Sequence, residues 1–231
     1  MRAVFFDAGG TLIHIDHARV AAAVGGVLGR APSVHDFVAA EYAGRDAVEQ
    51  LMATNGTGTD DSRWNAHFRA LLAALGFSEH EFDLVSAAIR AEHKRLHLWS
   101  VPAAGAAETL AALGRSGYVV ACISNADGTV DRLLERAGLL EHLSFVVDSG
   151  LVGIEKPDPR IFRLALEQAG VAAEESYYVG DIYPVDVVGA RSVGMVPVLL
   201  DPLGRYGSRG CLTTPDIPSL GRRLVSAKHA A

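Results

Sequence analysis

Ala3-Val4-Phe5-Phe6-Asp7-Ala8-Gly9-Gly10-Thr11-Leu12 is a short apolar run that ends in a carboxylate and turns at once on two glycines. An uninterrupted run of this length suits a buried strand. The glycines let a ligand approach the backbone closely, and Asp7 delivers one charged oxygen to the sheet edge.

Four more apolar, β-rich runs follow at 118–123, 145–147, 177–179 and 196–200. Helical patterns at 105–115, 129–137, 159–169 and 185–193 separate them, each closed by a glycine at 117, 138, 170 or 194. Strand alternating with helix predicts an α/β fold with a doubly wound parallel sheet. About ninety residues with almost no strand signal divide the first strand from the others. They predict an inserted helical domain, a four-helix bundle, with helix-spaced apolar positions at 34–52, 63–75 and 79–97 and a capping box formed by Ser78 and Glu81. The Gly, Thr and Asp-rich stretch 54–61 reads as a loop between two of its helices. The predicted division is a core of residues 1–14 and 100–231 and a cap of residues 15–99, with linkers at 13–17 and 98–102 side by side, as a hinge requires.

In such a sheet, ligands gather beyond the carboxyl ends of the strands, so the residues there are the candidate site. These are Asp7 after the first strand, Ser124 and Asn125 after the second, Lys156 beyond the third, and Gly180-Asp181 with Asp186 after the fourth. The set matches the needs of phosphoryl transfer, which neutralises equatorial oxygens while holding two groups in line. Asp7 is the candidate nucleophile, forming an aspartyl phosphate. Asp7 and Asp181, with Asp186 nearby, would hold a hard cation, and an all-oxygen donor set favours magnesium. Lys156 supplies a second positive charge, Ser124 and Asn125 sit where polar groups meet phosphate, and the amides of Ala8, Gly9 and Gly10 are further donors.

Taken together, Asp7-Ala8-Gly9-Gly10-Thr11-Leu12, Ser124-Asn125, Lys156-Pro157 and Gly180-Asp181-Ile182-Tyr183-Pro184-Val185-Asp186 resemble the haloacid dehalogenase-like hydrolase superfamily, in the branch with a helical C1-type cap inserted after the first motif. The resemblance implies a Rossmann-like core, a mobile cap, magnesium, and a small phosphorylated metabolite as substrate. It also exposes a departure. Phosphatases of the family usually carry a second Asp two residues after the nucleophile, which protonates the leaving alcohol and later activates water. Here that position is Gly9, which keeps the backbone carbonyl that touches the metal in the family and lacks only the side-chain acid. The expectation is either a substrate with a good leaving group or an acid from the cap or linker, where His14, His17 and Arg45 are candidates.

Three rival readings come from the same superfamily. A 2-haloacid dehalogenase would use the same carboxylate without magnesium, but Asp181 and Asp186 preserve the metal acids. A phosphonatase would need a cap lysine as Schiff base, and Lys94 is the lysine available in the insert. A phosphomutase normally needs the acid that Gly9 replaces. A different class is a non-catalytic regulator that keeps a phosphate pocket. His93 and His97 share a helix face but have no third ligand at motif spacing, and Trp64 and Trp99 read as packing residues.

Composition narrows the classes further. Of 231 residues, 49% are hydrophobic and 21% charged, enough to bury a core, and the net charge of -6 argues against a nucleic-acid binder. The N-terminal apolar run is too short for a signal peptide or a membrane span. Cys122 and Cys211 are too far apart to suggest a metal motif or a disulfide framework, which fits a cytoplasmic protein.

Overall fold

The computed structural model of the protein describes residues 1–55, 60–207 and 209–229. In chain order the regular elements begin with β1 (Ala3–Phe6), β2 (Ile13–Ile15), and four helices, α1 (His17–Leu28), α2 (Phe37–Asn55), α3 (Asp60–Ala74) and α4 (Glu79–Arg95). After β3 (Trp99–Pro102) come α5 (Ala106–Arg115), β4 (Val119–Ser124), α6 (Val130–Arg136), β5 (Phe145–Asp148), α7 (Ser149–Val152) and α8 (Pro159–Ala169). The chain ends with β6 (Ser176–Gly180), α9 (Val188–Ser192), β7 (Val196–Leu200), β8 (Leu212–Thr214) and α10 (Ile217–His229). Two compact units result, Met1–His14 with Trp99–Ala231, and Ile15–Leu98.

The first unit is built on a six-stranded parallel sheet ordered β5-β4-β1-β6-β7-β8. β1 is central, and the chain winds away from it in one direction through β4 and β5 and in the other through β6, β7 and β8. Side chains alternate across it. Val4 and Phe6 join a cluster with Leu110 and Leu113 of α5, Leu133 and Leu134 of α6, and Leu220 and Leu224 of α10. Ala3 and Phe5 face the other way, onto Ile161, Phe162 and Ala165 of α8 and Ala190 of α9. Because both faces are covered, the strands are continuous apolar runs. α8 shows how locally the helices are specified. Asp158 caps it by accepting from Arg160 N, Pro159 fills the first turn, Ile161, Phe162, Ala165 and Leu166 form its buried stripe, and Gly170 ends it in the left-handed region.

The second unit consists of α1 to α4. The Ser78 and Glu81 capping box forms as expected, with both reciprocal bonds present. Elsewhere the boundaries differ from the sequence reading. Residues 34–36 form a short 3-10 turn ahead of α2, and Thr54 and Asn55 end α2 while Asp60 and Asp61 open α3. The remainder of the expected loop, residues 56–59, lies outside the described residues. α1 begins inside the expected linker, where Asp16 accepts from Arg19 N and fixes the start. β2 and β3 pair as a two-stranded sheet.

In the first unit, the helix expected at 185–193 divides into a π-turn over Tyr183–Val187 and the short α9. The division falls where the Asp186 side chain accepts from the backbone amides of Asp181 and Ile182. The short β8 and the helix α10, with Ile217, Leu220 and Leu224 buried, lie beyond the elements expected from sequence.

Candidate active site

β1 sits at the point where the strand order reverses, and Asp7 is the first residue beyond it. The Asp7 amide still donates to the Val179 carbonyl of β6, 2.8 Å away, so the last rung of the sheet fixes the backbone under the carboxylate. The chain then folds tightly. Leu12 N and Ile13 N both donate to the Ala8 carbonyl, at 2.8 and 2.9 Å. Gly10 N donates to Ile13 O at 2.8 Å, which commits that amide to the turn and removes it from the phosphate donors expected from sequence. Gly10 adopts φ +83°, and a Cβ there would lie 2.3 Å from Asp181 Oδ2. Backbone conformation and the approach of Asp181 both require glycine.

Lys156 is the centre of the site. Its buried ammonium donates to Asp7 Oδ1 at 2.6 Å, to Tyr178 Oη at 2.7 Å and to Asp186 Oδ1 at 2.8 Å. Three partners match the three hydrogens of an ammonium. Burial works against that charge, but Asp186 and Asp7 outweigh it and hold the Lys156 pKa above its ordinary value. For Asp7 the balance goes the other way. Burial pushes its carboxyl up to about 7 against the pull of Lys156, with Asp186 and Asp181 adding to the rise.

Asp186 accepts four hydrogen bonds. Oδ1 takes the Lys156 ammonium and faces the Tyr178 hydroxyl at 3.1 Å, while Oδ2 takes the amides of Asp181 and Ile182 at 3.0 and 2.9 Å. Those last two bonds pull the backbone of 181–182 around the carboxylate and create the π-turn. Gly180 makes the approach possible, since a Cβ there would lie 2.3 Å from Asp186 Cγ.

Of the other residues singled out in the sequence, Asn125 is placed differently from expectation. Its side chain donates to the Lys156 carbonyl at 2.9 Å and accepts from the Lys156 amide at 2.7 Å, so it holds the lysine backbone in place. Ser124 ends β4, which pairs with β1 in the register Phe6↔Cys122, and is buried just past the level of Asp7. Ala8 and Gly9 lie in the turn next to the nucleophile. Asp7, Asp181 and Asp186 are buried with carboxylate oxygens within 4.8 Å of one another, the one group with metal-binding spacing among the described residues.

Two supporting features went unseen in the sequence. Tyr178 looks like any strand aromatic, yet its hydroxyl is the third partner of Lys156. Burial, then Asp186 and Asp7, hold its pKa well above the ordinary value, so it remains a neutral phenol. Asp148 at the end of β5 accepts from the amides of Gly128, Val130 and Gly150, and the Ser149 hydroxyl both accepts from Ala126 N and donates to Ala126 O. Together they brace the loop that carries Ser124 and Asn125. An acid followed by Ser-Gly just after a strand is the signal that would have pointed to them.

Of the candidate acids, His17 and Arg45 are occupied within the second unit, while His14 lies on β2 in the first. His17 Nε2 meets Glu41 Oε1 at 2.8 Å and its ring stacks on Phe37 at 4.5 Å, while His67 Nε2 meets Glu41 Oε2 at 3.3 Å. Burial raises the Glu41 pKa, but His67, His17 and Arg45 outweigh it and hold the carboxyl far below its ordinary range. Arg45 is buried in this cluster. His93 Nδ1 accepts from Leu98 N at 3.2 Å, Trp64 packs on Phe68 at 4.3 Å, and Lys94 is exposed. An exposed lysine lacks the desolvation that activates a Schiff-base amine.

Comparison with known proteins gives a consistent picture. Residues 1–194 match the family model described as a haloacid dehalogenase-like hydrolase. A phosphoserine phosphatase of Thermus thermophilus is 39% identical over 171 residues, covering 70% of this chain and 67% of that protein. A glyceraldehyde 3-phosphate phosphatase of Methanopyrus kandleri is 33% identical, over 66% of this chain and 65% of that one, a little under two thirds of its length. Among solved structures, a dehalogenase with an intermediate complex superposes with a TM-score of 0.66 at 25% identity, over 96% of each chain.

Proposed function

This chain belongs to the haloacid dehalogenase-like hydrolases, and from that premise we propose that it is a magnesium-dependent phosphatase acting on a small phosphorylated metabolite with Asp7 as nucleophile. The observation that carries the proposal is the charge balance at Asp7. With Asp7 ionised, as a nucleophile must be, three buried carboxylates against one ammonium leave two negative charges, the complement of a divalent cation. The donors are all oxygen, which fits magnesium.

Asp7, Asp181 and the Gly9 carbonyl would hold the ion. Asp186, with each oxygen already accepting hydrogen bonds, would add its charge to the ion's site while anchoring Lys156 and the 181–182 backbone. When bound, the cation neutralises phosphate oxygens and lowers the repulsion between two anions. Lys156 fixes the Asp7 carboxylate by its Oδ1 and adds positive charge where the phosphoryl group arrives. Asp7 attacks phosphorus, the bond to the leaving oxygen breaks, and the phosphoryl group is carried on Asp7 until water displaces it. Ser124 and the amides of Ala8 and Gly9 are the proposed phosphate donors, and Asn125 positions Lys156.

The names of the two phosphatase relatives support this reading. A second reading, a 2-haloacid dehalogenase, is favoured by one observation: Gly9 offers no acid, and a departing halide needs none. The surplus negative charge around Asp7 counts against it. The test is turnover of p-nitrophenyl phosphate, acetyl phosphate and 2-chloropropionate with and without magnesium, with Asp7→Asn as control. Magnesium-dependent phosphate release that Asp7→Asn abolishes is expected; chloride release without magnesium would replace the proposal with the second reading.

A further inference from the structure

Within the first unit, the titratable side chains that bond with Asp7 or share its acid cluster are already assigned. Lys156 is held by Asp7, Tyr178 and Asp186, Asp186 accepts four hydrogen bonds, and Asp181 lies against Gly10 in the acid cluster. The turn itself supplies Ala8, Gly9, Gly10 and Thr11, none of which exchanges a proton near neutrality. The side of the turn where a side chain at position 9 would project is bordered by Trp99. A Cβ on Gly9 would lie 3.1 Å from Trp99 Cδ1 and 3.2 Å from Nε1, and the indole packs against the core cluster that contains Ala8, Leu12 and Ile13.

We infer that Trp99 is a specificity-determining residue, whose indole occupies the place of the missing acid-base and confines the enzyme to phosphoryl compounds whose leaving group departs as a stable anion. Acyl phosphates and aryl phosphates are that class. The inference rests on the phosphatase reading above. It has two chemical consequences. In the first step Asp7 forms a bond to phosphorus and the P–O bond to the leaving group breaks with both electrons on oxygen, which departs as the free anion. In the second, water attacks phosphorus without a side-chain base, the P–O bond to Asp7 breaks, and the released proton passes to phosphate and solvent. The first step needs no proton relay for such leaving groups, whereas the second is slow for want of one and leaves the phosphoenzyme to accumulate.

The test is a series of aryl and alkyl phosphates of graded leaving-group acidity, run on the wild type, Gly9→Asp, Trp99→Leu and the Gly9→Asp/Trp99→Leu double variant. Acid-quenched intact mass measures the phosphoenzyme fraction with acetyl phosphate. The wild-type kcat/KM should fall steeply with leaving-group basicity, and a large phosphorylated fraction should be trapped. Gly9→Asp alone should leave the alkyl-to-aryl ratio nearly unchanged because the indole blocks the carboxylate. The double variant should raise that ratio toward the roughly 100 to 10,000-fold that general acid-base catalysis supplies, and empty the trapped pool. Because the readout is a ratio within one preparation, partial unfolding of a Trp99 variant does not move it. A flat wild-type series, a full gain from Gly9→Asp alone, or no gain in the double variant would overturn the inference while the phosphatase reading stands. No magnesium-dependent turnover of any phosphate by the wild type would instead overturn the reading on which it rests.

Discussion

Replacing Lys156 with methionine removes the cation from a site that buries three carboxylates. The ammonium makes hydrogen bonds of 2.6, 2.7 and 2.8 Å to Asp7, Tyr178 and Asp186, and its side chain is only 1% exposed. Breaking a buried ion pair by removing one partner costs about 3–5 kcal/mol, and for a chain of this size each kcal/mol lowers Tm by about 2–4 °C. Lys156→Met should therefore melt about 6–20 °C below the wild type in EDTA. The loss should be larger at pH 8 than at pH 6. At the lower pH Asp7, whose carboxyl burial already lifts to about 7, takes up a proton and relieves the repulsion. Magnesium should restore more of the melting temperature in the variant than in the wild type, since the ion replaces the missing charge. At a concentration 100 times its Kd a ligand contributes about 2.7 kcal/mol. Differential scanning calorimetry in EDTA and in magnesium, at both pH values, is the assay. A variant that melts within about 2 °C of the wild type in EDTA, less than one kcal/mol by the same scale, would refute the role given to Lys156.

Tyr178→Phe should lower kcat with little change in KM and cost about 1–3 kcal/mol of stability, because a buried donor loses its partner; urea denaturation and steady-state kinetics check both, and a change confined to KM would count against a positioning role. Gly10→Ala should abolish magnesium-dependent thermal stabilisation, since the new Cβ meets Asp181 Oδ2 at 2.3 Å on a backbone with φ +83°; a normal magnesium shift in this variant would contradict the geometry. In the second unit, Glu41→Gln should destabilise the protein by about 3–5 kcal/mol near neutrality. The folded carboxyl lies below the ordinary glutamate value of 4.5, so its stabilisation is present above that pH and fades as pH falls below it. The variant should consequently lose less stability than the wild type between pH 5 and pH 3, and parallel acid-denaturation curves would refute the assignment.

Much of the fold was legible because its signals are local and repeated. Apolar runs ending in Asp7, Ser124 and Gly180 are what a strand covered on both faces must look like, and Gly117, Gly138, Gly170 and Gly194, all at positive φ, mark the ends of four helices. The converging charges were legible for the same topological reason, since strand ends in a parallel sheet share one edge. What escaped depends on geometry that sequence order does not encode. Tyr178 is one of two adjacent strand tyrosines, and only the strand's facing decides that its hydroxyl reaches Lys156. The two bonds from Asn125 to the Lys156 backbone span 31 residues of chain, which sequence order does not show. Gly10 was read as an amide donor to phosphate, whereas the turn uses that amide to reach Ile13. Trp99 read as packing, and packing is what it does; the consequence came from which residue it packs on. The division of 183–192 into a π-turn and a short helix goes with the two backbone amides that the Asp186 carboxylate holds, a demand that outweighs helical periodicity.

The claim on which the rest depends is that Asp7 carries the phosphoryl group. Acid quenching of the wild type during turnover of acetyl phosphate in magnesium, followed by peptide mass mapping, locates it directly. The account predicts one phosphoryl group on Asp7, absent in EDTA and absent from Asp7→Asn. Turnover that survives in Asp7→Asn, or a phosphoryl group on any other residue, would contradict it.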